Sequence, residues 1–283
     1  MKKFILLIGL TLGAVANSVT AAGLSDTIKK VEQQTKGRVG VAVWDSRDNS
    51  WWNYRGSERF PMMSTFKTLL CAKALHDIES GSLSSDASER IESKNLIPWS
   101  PITEQRVGQS MTVIEACEAT MLTSDNTAAN LALNLTGGPS ALTAFLIKQS
   151  DSTTNLTRFE PDLNTAIPGE NRDTTSPEAM LRTLQKILLG NALTRKHRAQ
   201  ILMWMKNNRV SDPLLRSVLP AGWQIADRSG AGGYGSRGVT ALVWPNSDRK
   251  LMVSIYLTET KLDLTKRNKV LAEIGKAVFS NYR

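Results

Sequence analysis

Histidine and cysteine are scarce in this chain of 283 residues, which contains two of each. The histidines, His76 and His197, lie far apart and do not have the spacing of metal ligands. A zinc-dependent hydrolase is therefore disfavoured, and each histidine is most simply a residue on the surface of a helix. We expect neither a metal ion nor a cofactor.

The chain also lacks a hydrophobic run long enough to cross a membrane, since a span needs roughly 20 apolar residues. Its first residues follow another pattern, with Lys2 and Lys3, an apolar stretch over 4–15, and small residues up to Ala21. This order is typical of a secretory signal peptide. We expect a signal peptide over 1–21 and a periplasmic protein without a membrane anchor. In an exported chain the isolated pair Cys71 and Cys117 is expected to form a disulfide, the alternative being two buried thiols.

Runs of a single charge are absent as well, although 35 basic residues exceed 26 acidic ones and give a net charge of +9. The basic residues are scattered and do not alternate with aromatic ones, as they would in a nucleic-acid site. We expect a solvated basic surface and no nucleic-acid partner. The chain that follows residue 21 is long enough for one large domain or for two that share an interface.

Strand patterns occur near both ends of the chain, and helical patterns dominate its middle. Alternating apolar residues predict strands over 38–44, 51–55, 224–228, 237–244 and 251–257. Helical periodicity, caps and breakers predict helices over 24–34, 66–75, 113–122, 127–135, 140–148, from Ser176-Pro177 onward, over 194–206 and over 264–279. No internal repeat is found.

We therefore predict an α/β (α+β) fold in which a five-stranded antiparallel sheet is flanked by helices and joined by an all-helical subdomain. The sheet subdomain is discontinuous and takes residues 22–60 and 208–283, while the helical subdomain takes 61–207. Residues 155–175 have no sustained periodicity, and a loop of this length inside a compact domain is usually functional. The cleft between the subdomains is the expected site.

Three short polar motifs carry residues that suit nucleophilic catalysis. In Ser64-Thr65-Phe66-Lys67 the lysine lies one helical turn after a serine at a helix N-terminus, where a neighbouring base can activate the hydroxyl. Ser124-Asp125-Asn126 is a polar break between two helices, and Arg228-Ser229-Gly230 lies where a strand meets a turn. Taken singly, the motifs also fit a capping serine with a surface lysine, a helix stop and restart, and a hairpin turn.

In this order, the three motifs resemble those of class A serine β-lactamases and penicillin-binding proteins. The resemblance covers nearly the whole chain after residue 21 and implies a β-lactamase/transpeptidase-like fold. Arg228-Ser229-Gly230 is similar to the carbenicillin-hydrolysing branch, whereas most members carry Lys-Thr-Gly. The implied function is hydrolysis of penicillins, including carboxypenicillins, through an acyl-enzyme on Ser64, which confers antibiotic resistance.

The loop over 155–175 separates a β-lactamase from DD-peptidases and transpeptidases, which penicillins only inhibit. Glu160-Pro161-Asp162-Leu163-Asn164 resembles the Glu-x-x-Leu-Asn signature of the class A omega loop, and transpeptidases lack that glutamate. Deacylation needs a base that takes a proton from water. Glu160 can be this base, and Asn164 can hold the water. A penicillin sensor or a binding-only protein would leave the convergence of serine, lysine and glutamate unexplained.

The resemblance also assigns the remaining site residues. The backbone N–H groups of Ser64 and Ala231 would form the oxyanion hole, Ser124 would pass a proton to the departing nitrogen, and either Lys67 or Glu160 would take the proton of Ser64. The substrate contacts implied by the family are Trp99, Asn126, Arg228, Ser229, Gly230 and Arg237. Its structural features are an Arg158–Asp173 ion pair, a disulfide between Cys71 and Cys117, and a Glu160-Pro161 bond that is often cis. We expect a monomer whose partner is a small β-lactam.

Overall fold

The computed structural model of the protein describes residues 16–283, with side chains described from residue 23 onward. Most of the predicted signal peptide lies outside the described residues. The helices are α1 (Ala16–Thr35), α2 (Phe66–Glu79), α3 (Val113–Thr123), α4 (Asn126–Leu135), α5 (Gly138–Lys148), α6 (Pro177–Leu188), α7 (Arg195–Lys206) and α8 (Leu264–Asn281). The strands are β1 (Arg38–Asp45), β2 (Ser50–Tyr54), β3 (Phe60–Pro61), β4 (Ser88–Arg90), β5 (Ser110–Thr112), β6 (Thr174–Thr175), β7 (Gln224–Ala231), β8 (Arg237–Trp244) and β9 (Leu251–Thr258).

The five predicted strands form one antiparallel sheet in the order β2-β1-β9-β8-β7. The prediction of the fold is thus confirmed, with one difference at the edge strand. β7 was expected to end at Arg228, but it continues to Ala231, which pairs with Arg237 of β8. The motif Arg228-Ser229-Gly230 therefore lies within a strand, where ladder hydrogen bonds hold its backbone.

Two short ladders were not predicted, because strands of two or three residues have no measurable period. β3 pairs with β6 and joins the end of the 155–175 region to the chain just before Ser64. β4 pairs with β5 ahead of α3. The first ladder fixes the base of the loop that carries Glu160.

The sheet is covered on both faces, and the alternation of β1 explains how. Val39, Val41 and Val43 face a core that includes residues of α1 and α8. Ala42 and Trp44 face a second core, built mainly from α2 to α7. The second core also reaches the sheet through α6, which packs on β1 and β9. The division into residues 22–60 with 208–283 and residues 61–207 stays a prediction.

The ends of the helices follow from capping side chains. Thr112 and Glu115 form a capping box at the start of α3, and Ser176 accepts a hydrogen bond from the N–H of Ala179 at the start of α6. Pro177 occupies the first position of α6, as the sequence predicted. No helix between residues 16 and 283 combines the length and the apolar character that a membrane span requires.

Cys71 on α2 and Cys117 on α3 are buried side by side as free thiols. Burial, and then a hydrogen bond with Cys117, raises the pKa of the Cys71 thiol well above its ordinary value. The disulfide between them stays a prediction. We expect the exported protein to show no titratable thiol in denaturant and two thiols after reduction. On the chain-entropy model, reduction should lower the free energy of unfolding by about 4 kcal/mol. Intact mass and denaturation curves would measure both, and two free thiols before reduction would contradict the prediction.

Candidate active site

A cleft of about 530 Å³ opens beside the edge strand β7, and it gathers most of the predicted site residues. Those that line it are Ser64, Trp99, Ser124, Asn126, Asn164, Ser229, Gly230, Ala231 and Arg237. Three further predicted residues, Lys67, Glu160 and Arg228, are buried behind this lining. The cleft is also lined by residues that no motif pointed to, namely Arg209, Val210, Pro213, Leu264 and Asn268.

Ser64 lies in a short 3₁₀ turn, Met63–Thr65, that runs directly into α2. The preceding Met63 has a φ of +49°, a left-handed conformation that is uncommon for a non-glycine residue. β7 approaches this turn closely, since a Cβ on Gly230 would lie 2.5 Å from the Ser64 backbone nitrogen. Glycine is therefore required at position 230, and Ala231 follows it in the strand.

Lys67 is completely buried and makes several polar contacts around its ammonium group. Its Nζ donates to the Ser124 carbonyl at 2.9 Å, to Ser124 Oγ at 3.2 Å and to Asn126 Oδ1 at 2.7 Å. Glu160 Oε1 lies 3.2 Å away. Burial lowers the pKa of Lys67 to about 8, and the Arg228 charge acts in the same direction while Glu160 opposes it. Both protonation states of Lys67 are thus accessible near neutral pH.

Ser124 connects the two cationic residues to Ser64. It adopts a left-handed conformation (φ +66°) at the end of α3, and its Oγ donates to Ser64 Oγ at 3.2 Å. Arg228 Nη2 donates to Ser124 Oγ at 2.6 Å, and Arg228 Nε donates to the Ser64 carbonyl at 3.1 Å. Burial lowers the pKa of Arg228 to about 10, so this guanidinium stays charged at neutral pH.

Ser124-Asp125-Asn126 also stops one helix and starts the next, as the ordinary interpretation of the motif required. The Asp125 carboxylate caps α4 by accepting from the N–H of Ala128 at 2.8 Å. It also accepts from the N–H groups of Ile102 and Thr103, each at 2.9 Å. Asp125 is therefore a structural residue that holds the two functional side chains beside it.

Asn164 lines the cleft, and the buried Glu160 lies against it. The Asn164 side-chain amide donates to Glu160 Oε2. Asn164 Oδ1 is buried without a hydrogen-bond partner among the described residues, and Glu160 Oε1 has only the ion-pair contact with Lys67 at 3.2 Å. Asn130 of α4 fixes the backbone of Glu160 with two bonds, of 2.8 and 2.9 Å, and the Glu160-Pro161 bond is cis. Sequence reasoning missed Asn130, which belongs to none of the motifs.

Arg158 and Asp173 form the predicted ion pair between the two ends of the loop. Arg158 Nε lies 2.6 Å from Asp173 Oδ2, and the second Asp173 oxygen accepts from the N–H groups of Thr157 and Arg158 at 2.7 and 3.0 Å. Glu170 adds a second carboxylate 3.2 Å from Arg158 Nη2, a contact that the sequence did not indicate. These bonds tie the two ends of the loop that carries Glu160 to each other.

Ser229 and Arg237 form the wall of the cleft on the side of the sheet. Arg237 Nη1 donates to the Gly230 carbonyl at 2.9 Å, and its Nε donates to Asn268 Oδ1 at 2.8 Å. Its partners are thus neutral groups. Burial, together with the charges of Arg267 and Arg228, lowers the pKa of Arg237 to about 10. The Arg237 guanidinium is still charged at neutral pH, and it can therefore bind an anionic ligand.

Trp99 and Asn126 form the opposite wall. Trp99 is 63% exposed, and its indole N–H donates to the Thr123 carbonyl at 2.9 Å, so the ring is held at the mouth of the cleft. The N–H of Asn126 donates to the Trp99 carbonyl at 2.9 Å. The two residues of this wall are therefore tied to each other through their backbones.

The chemistry of this arrangement is that of a serine acyl-transfer enzyme. A serine hydroxyl, a lysine of lowered pKa and a buried glutamate meet next to a cationic wall. In the part of the chain that the structure describes, no group of three or more His, Cys, Asp or Glu side chains is arranged to hold a metal ion.

Comparisons with known proteins identify which acyl-transfer family this is. Residues 23–282 match the family described as the β-lactamase enzyme family. The β-lactamases CARB-3 and PSE-4 of Pseudomonas aeruginosa are each 45% identical to the chain over 282 residues, which cover 99% of this chain and 98% of each relative.

The solved structures agree with this match. The chromosome-encoded β-lactamase of Vibrio parahaemolyticus superposes with a TM-score of 0.90 at 51% identity, over 92% of this chain and 99% of that one. An ancestral class A β-lactamase gives a TM-score of 0.88 at 45% identity. The chain belongs to the class A serine β-lactamases. This membership favours the predicted hydrolase over the DD-peptidase alternative.

Proposed function

We propose that the protein hydrolyses penicillins, carboxypenicillins included, in the periplasm and as a monomer, with the catalytic roles inferred from the sequence. The observation that carries this proposal is the contact of Lys67 with both Ser124 and Glu160 directly behind Ser64. A nucleophile, a proton relay and a base for water are thereby within reach of one bound substrate.

Acylation begins with attack of Ser64 Oγ on the lactam carbonyl. The C–N bond of the ring breaks, an ester forms on Ser64, and the nitrogen gains a proton from Ser124 Oγ, which takes one in turn from Lys67 Nζ, 3.2 Å away. Neutral Lys67 or, through a water, Glu160 takes the proton that Ser64 loses. The N–H groups of Ser64 and Ala231 stabilise the oxyanion, a contribution that in other enzymes is worth about 10²–10³-fold per donor.

Deacylation uses Glu160 Oε1, which faces the Lys67 ammonium at 3.2 Å, and Asn164 Oδ1, which has no hydrogen-bond partner among the described residues. Glu160 Oε1 and Asn164 Oδ1 are acceptors, and a water between them would have its hydrogens bound and a lone pair free to attack the ester. Glu160 takes the proton of this water as the water oxygen bonds to the ester carbon. The ester bond to Ser64 then breaks, and Ser64 Oγ takes up the proton that Glu160 had accepted. Asn164 positions the water and does not itself titrate.

The carboxylate of the penicillin nucleus is assigned to the wall formed by Ser229 and Arg237, with the Arg228 charge behind it. Arginine suits this role because its donors form a fork that matches a carboxylate. The side-chain amide of the substrate is assigned to Asn126, and its aromatic group to Trp99. Gly230 lets the substrate approach the backbone of β7.

The charges around the cleft favour a substrate with two carboxylates. Arg209 and Arg237 line it, whereas the lining residues of the described chain include no aspartate or glutamate. Two charges about 8 Å apart attract each other by roughly 0.5–2 kcal/mol at effective dielectric constants between those of water and a protein surface. Carbenicillin carries a second carboxylate on its side chain and would gain this energy. Benzylpenicillin has no second carboxylate and would not.

We expect many turnovers of carbenicillin per enzyme molecule, at a kcat/KM close to that for benzylpenicillin. Arg209→Gln should lower the carbenicillin-to-benzylpenicillin ratio of kcat/KM by about threefold to tenfold, which corresponds to about 1 kcal/mol. Arg228→Lys changes the bulk and the fixed donors behind the wall formed by Ser229 and Arg237, and should lower the ratio as well by changing how the cleft receives a side chain that carries a carboxylate. Loss of ring absorbance measures both rates.

Lys206→Gln is the matched control, because it removes the same charge at the end of α7, outside the cleft lining. Its ratio should stay within about twofold of the unmodified enzyme, as expected for a screened surface charge. Equal ratios in all four proteins would contradict the charge argument. A single equivalent of carbenicillin consumed, followed by a stall, would contradict its assignment as a substrate.

A further inference from the structure

A chain of buried hydrogen bonds runs behind the cleft wall and ends on Ser229. Its members are Asn208, Ser211 and Ser229, all at most 2% exposed. Asn208 Nδ2 donates to Ser211 Oγ at 3.0 Å, and Ser211 Oγ donates to Ser229 Oγ at 2.9 Å. Neither Asn208 nor Ser211 lies in one of the catalytic motifs.

The neighbours of Asn208 fix the direction of this chain. Its Oδ1 accepts from the N–H of Val210 at 2.8 Å, so this atom has to be the oxygen. Its Nδ2 faces two groups that can only accept, the Asp227 carbonyl at 2.8 Å and Asp227 Oδ1 at 3.0 Å. Exchanging the two amide atoms would place acceptors against acceptors, and therefore the nitrogen faces Ser211.

The Ser211 hydroxyl has one hydrogen, and its direction follows from the orientation of Asn208. The two amide hydrogens of Asn208 are shared among three acceptors, and the amide nitrogen itself cannot accept, so the hydrogen of Ser211 is left for Ser229 Oγ. Ser229 Oγ is thereby occupied as an acceptor. The single hydrogen of the Ser229 hydroxyl has only a weak hydrogen bond, to the Val210 carbonyl at 3.4 Å.

A buried ion pair holds the beginning of the chain in place. Asp227 Oδ1 accepts from Arg216 Nε at 2.8 Å, and Arg216 Nη2 donates to the carbonyls of Met205 and Lys206 at the end of α7. The segment that contains Asn208 and Ser211 is thus fixed between α7 and β7.

We propose that Ser211 and Asn208 are positioning residues that make Ser229 an obligate hydrogen-bond donor towards the substrate carboxylate. The hydrogen of Ser229 exchanges its long contact with Val210 for a charge-assisted bond to the substrate. Without Ser211, the hydroxyl of Ser229 could turn and present its lone pairs, which repel a carboxylate. This inference rests on the proposed contact between Ser229 and the carboxylate.

The test compares benzylpenicillin with its methyl ester, in which the carboxylate is neutralised. Ser211→Ala should raise KM for benzylpenicillin by about threefold to tenfold, with kcat within about twofold, because the lost bond acts on substrate binding. The ester, which presents no charge to Ser229, should change by less than about twofold under the same reasoning. Ser211→Thr keeps the hydroxyl and should restore the acid-to-ester ratio of kcat/KM.

A double-mutant cycle with Ser229→Ala separates positioning from a general structural effect. If Ser211 acts through Ser229, Ser211→Ala should have no further effect once Ser229 is alanine. Equal losses for acid and ester, or additive losses in the cycle, would overturn the inference. An acid-to-ester ratio unchanged in Ser229→Ala would instead show that the proposed carboxylate contact is wrong. A normal effect of Ser229→Ala with none from Ser211→Ala would refute only the positioning role.

Discussion

Replacing Glu160 with glutamine is expected to convert the enzyme into a protein that penicillin acylates once. Glutamine keeps the shape and can still accept the bond from Asn164, but it cannot take a proton from water. Loss of a general base typically costs about 10²–10⁴-fold, and here the loss falls on deacylation. The acyl-enzyme on Ser64 should therefore accumulate.

Intact mass spectrometry after mixing with benzylpenicillin measures this accumulation directly. The variant should gain the full mass of one penicillin, since ring opening releases no fragment, and should keep it for many times the turnover period of the unmodified enzyme. Asp162→Asn is the matched control, because it removes an exposed carboxylate two residues away in the same loop. If the Glu160→Gln variant hydrolysed benzylpenicillin rapidly and kept the mass of the free enzyme throughout, the assignment of Glu160 would be wrong.

The same variant distinguishes the two routes for the proton of Ser64. The Glu160 charge holds the pKa of Lys67 up, so its removal should move this pKa below about 8. The neutral form of Lys67, which can accept a proton, is populated above its pKa. If Lys67 is the base, the acylation rate of the variant should rise with pH to a plateau whose midpoint lies below 8. Slow acylation that is independent of pH would assign this step to Glu160.

The sheet and the long helices could be predicted from the sequence because their periods extend over many residues. The valines of β1 alternate between two cores, and β8 has the predicted bounds. The extension of β7 to Ala231 was missed because its last residues, Ser229 to Ala231, are small or polar and carry no apolar alternation. Their place in the strand is set by pairing with β8, which only the folded chain provides.

The catalytic side chains could be predicted because they lie in motifs with fixed local spacing, as Ser64 and Lys67 do on one helical turn. The side chains that orient them are different. Asn130 holds the backbone of Glu160 from another helix, and Ser211 contacts Ser229 across two segments. No local pattern marks an asparagine or a serine as such a partner, since these contacts arise from tertiary packing. Arg209 likewise becomes a cleft residue only through the position of its loop.

Gly230→Ala should damage catalysis more than stability, because of where the added methyl group would lie. The new Cβ would meet the Ser64 backbone nitrogen at 2.5 Å and the Met63 Cβ at 2.7 Å, so the turn that carries the nucleophile has to shift. Overpacking of this kind costs about 1–3 kcal/mol of the free energy of unfolding. Displacing one oxyanion donor should lower kcat/KM by about 10²–10³-fold.

Thermal unfolding and steady-state kinetics on benzylpenicillin separate these two effects. Gly23→Ala is the control, since a Cβ there meets nothing within 4 Å, and its kinetics should match those of the unmodified enzyme. A Gly230→Ala enzyme that melts lower but keeps its kcat/KM would mean that the Ser64 N–H tolerates displacement, and the oxyanion assignment would fail. A loss of kcat/KM that persists well below the melting temperature would instead come from the folded state. In that case the close approach of β7 to the Ser64 turn is itself a requirement of the reaction.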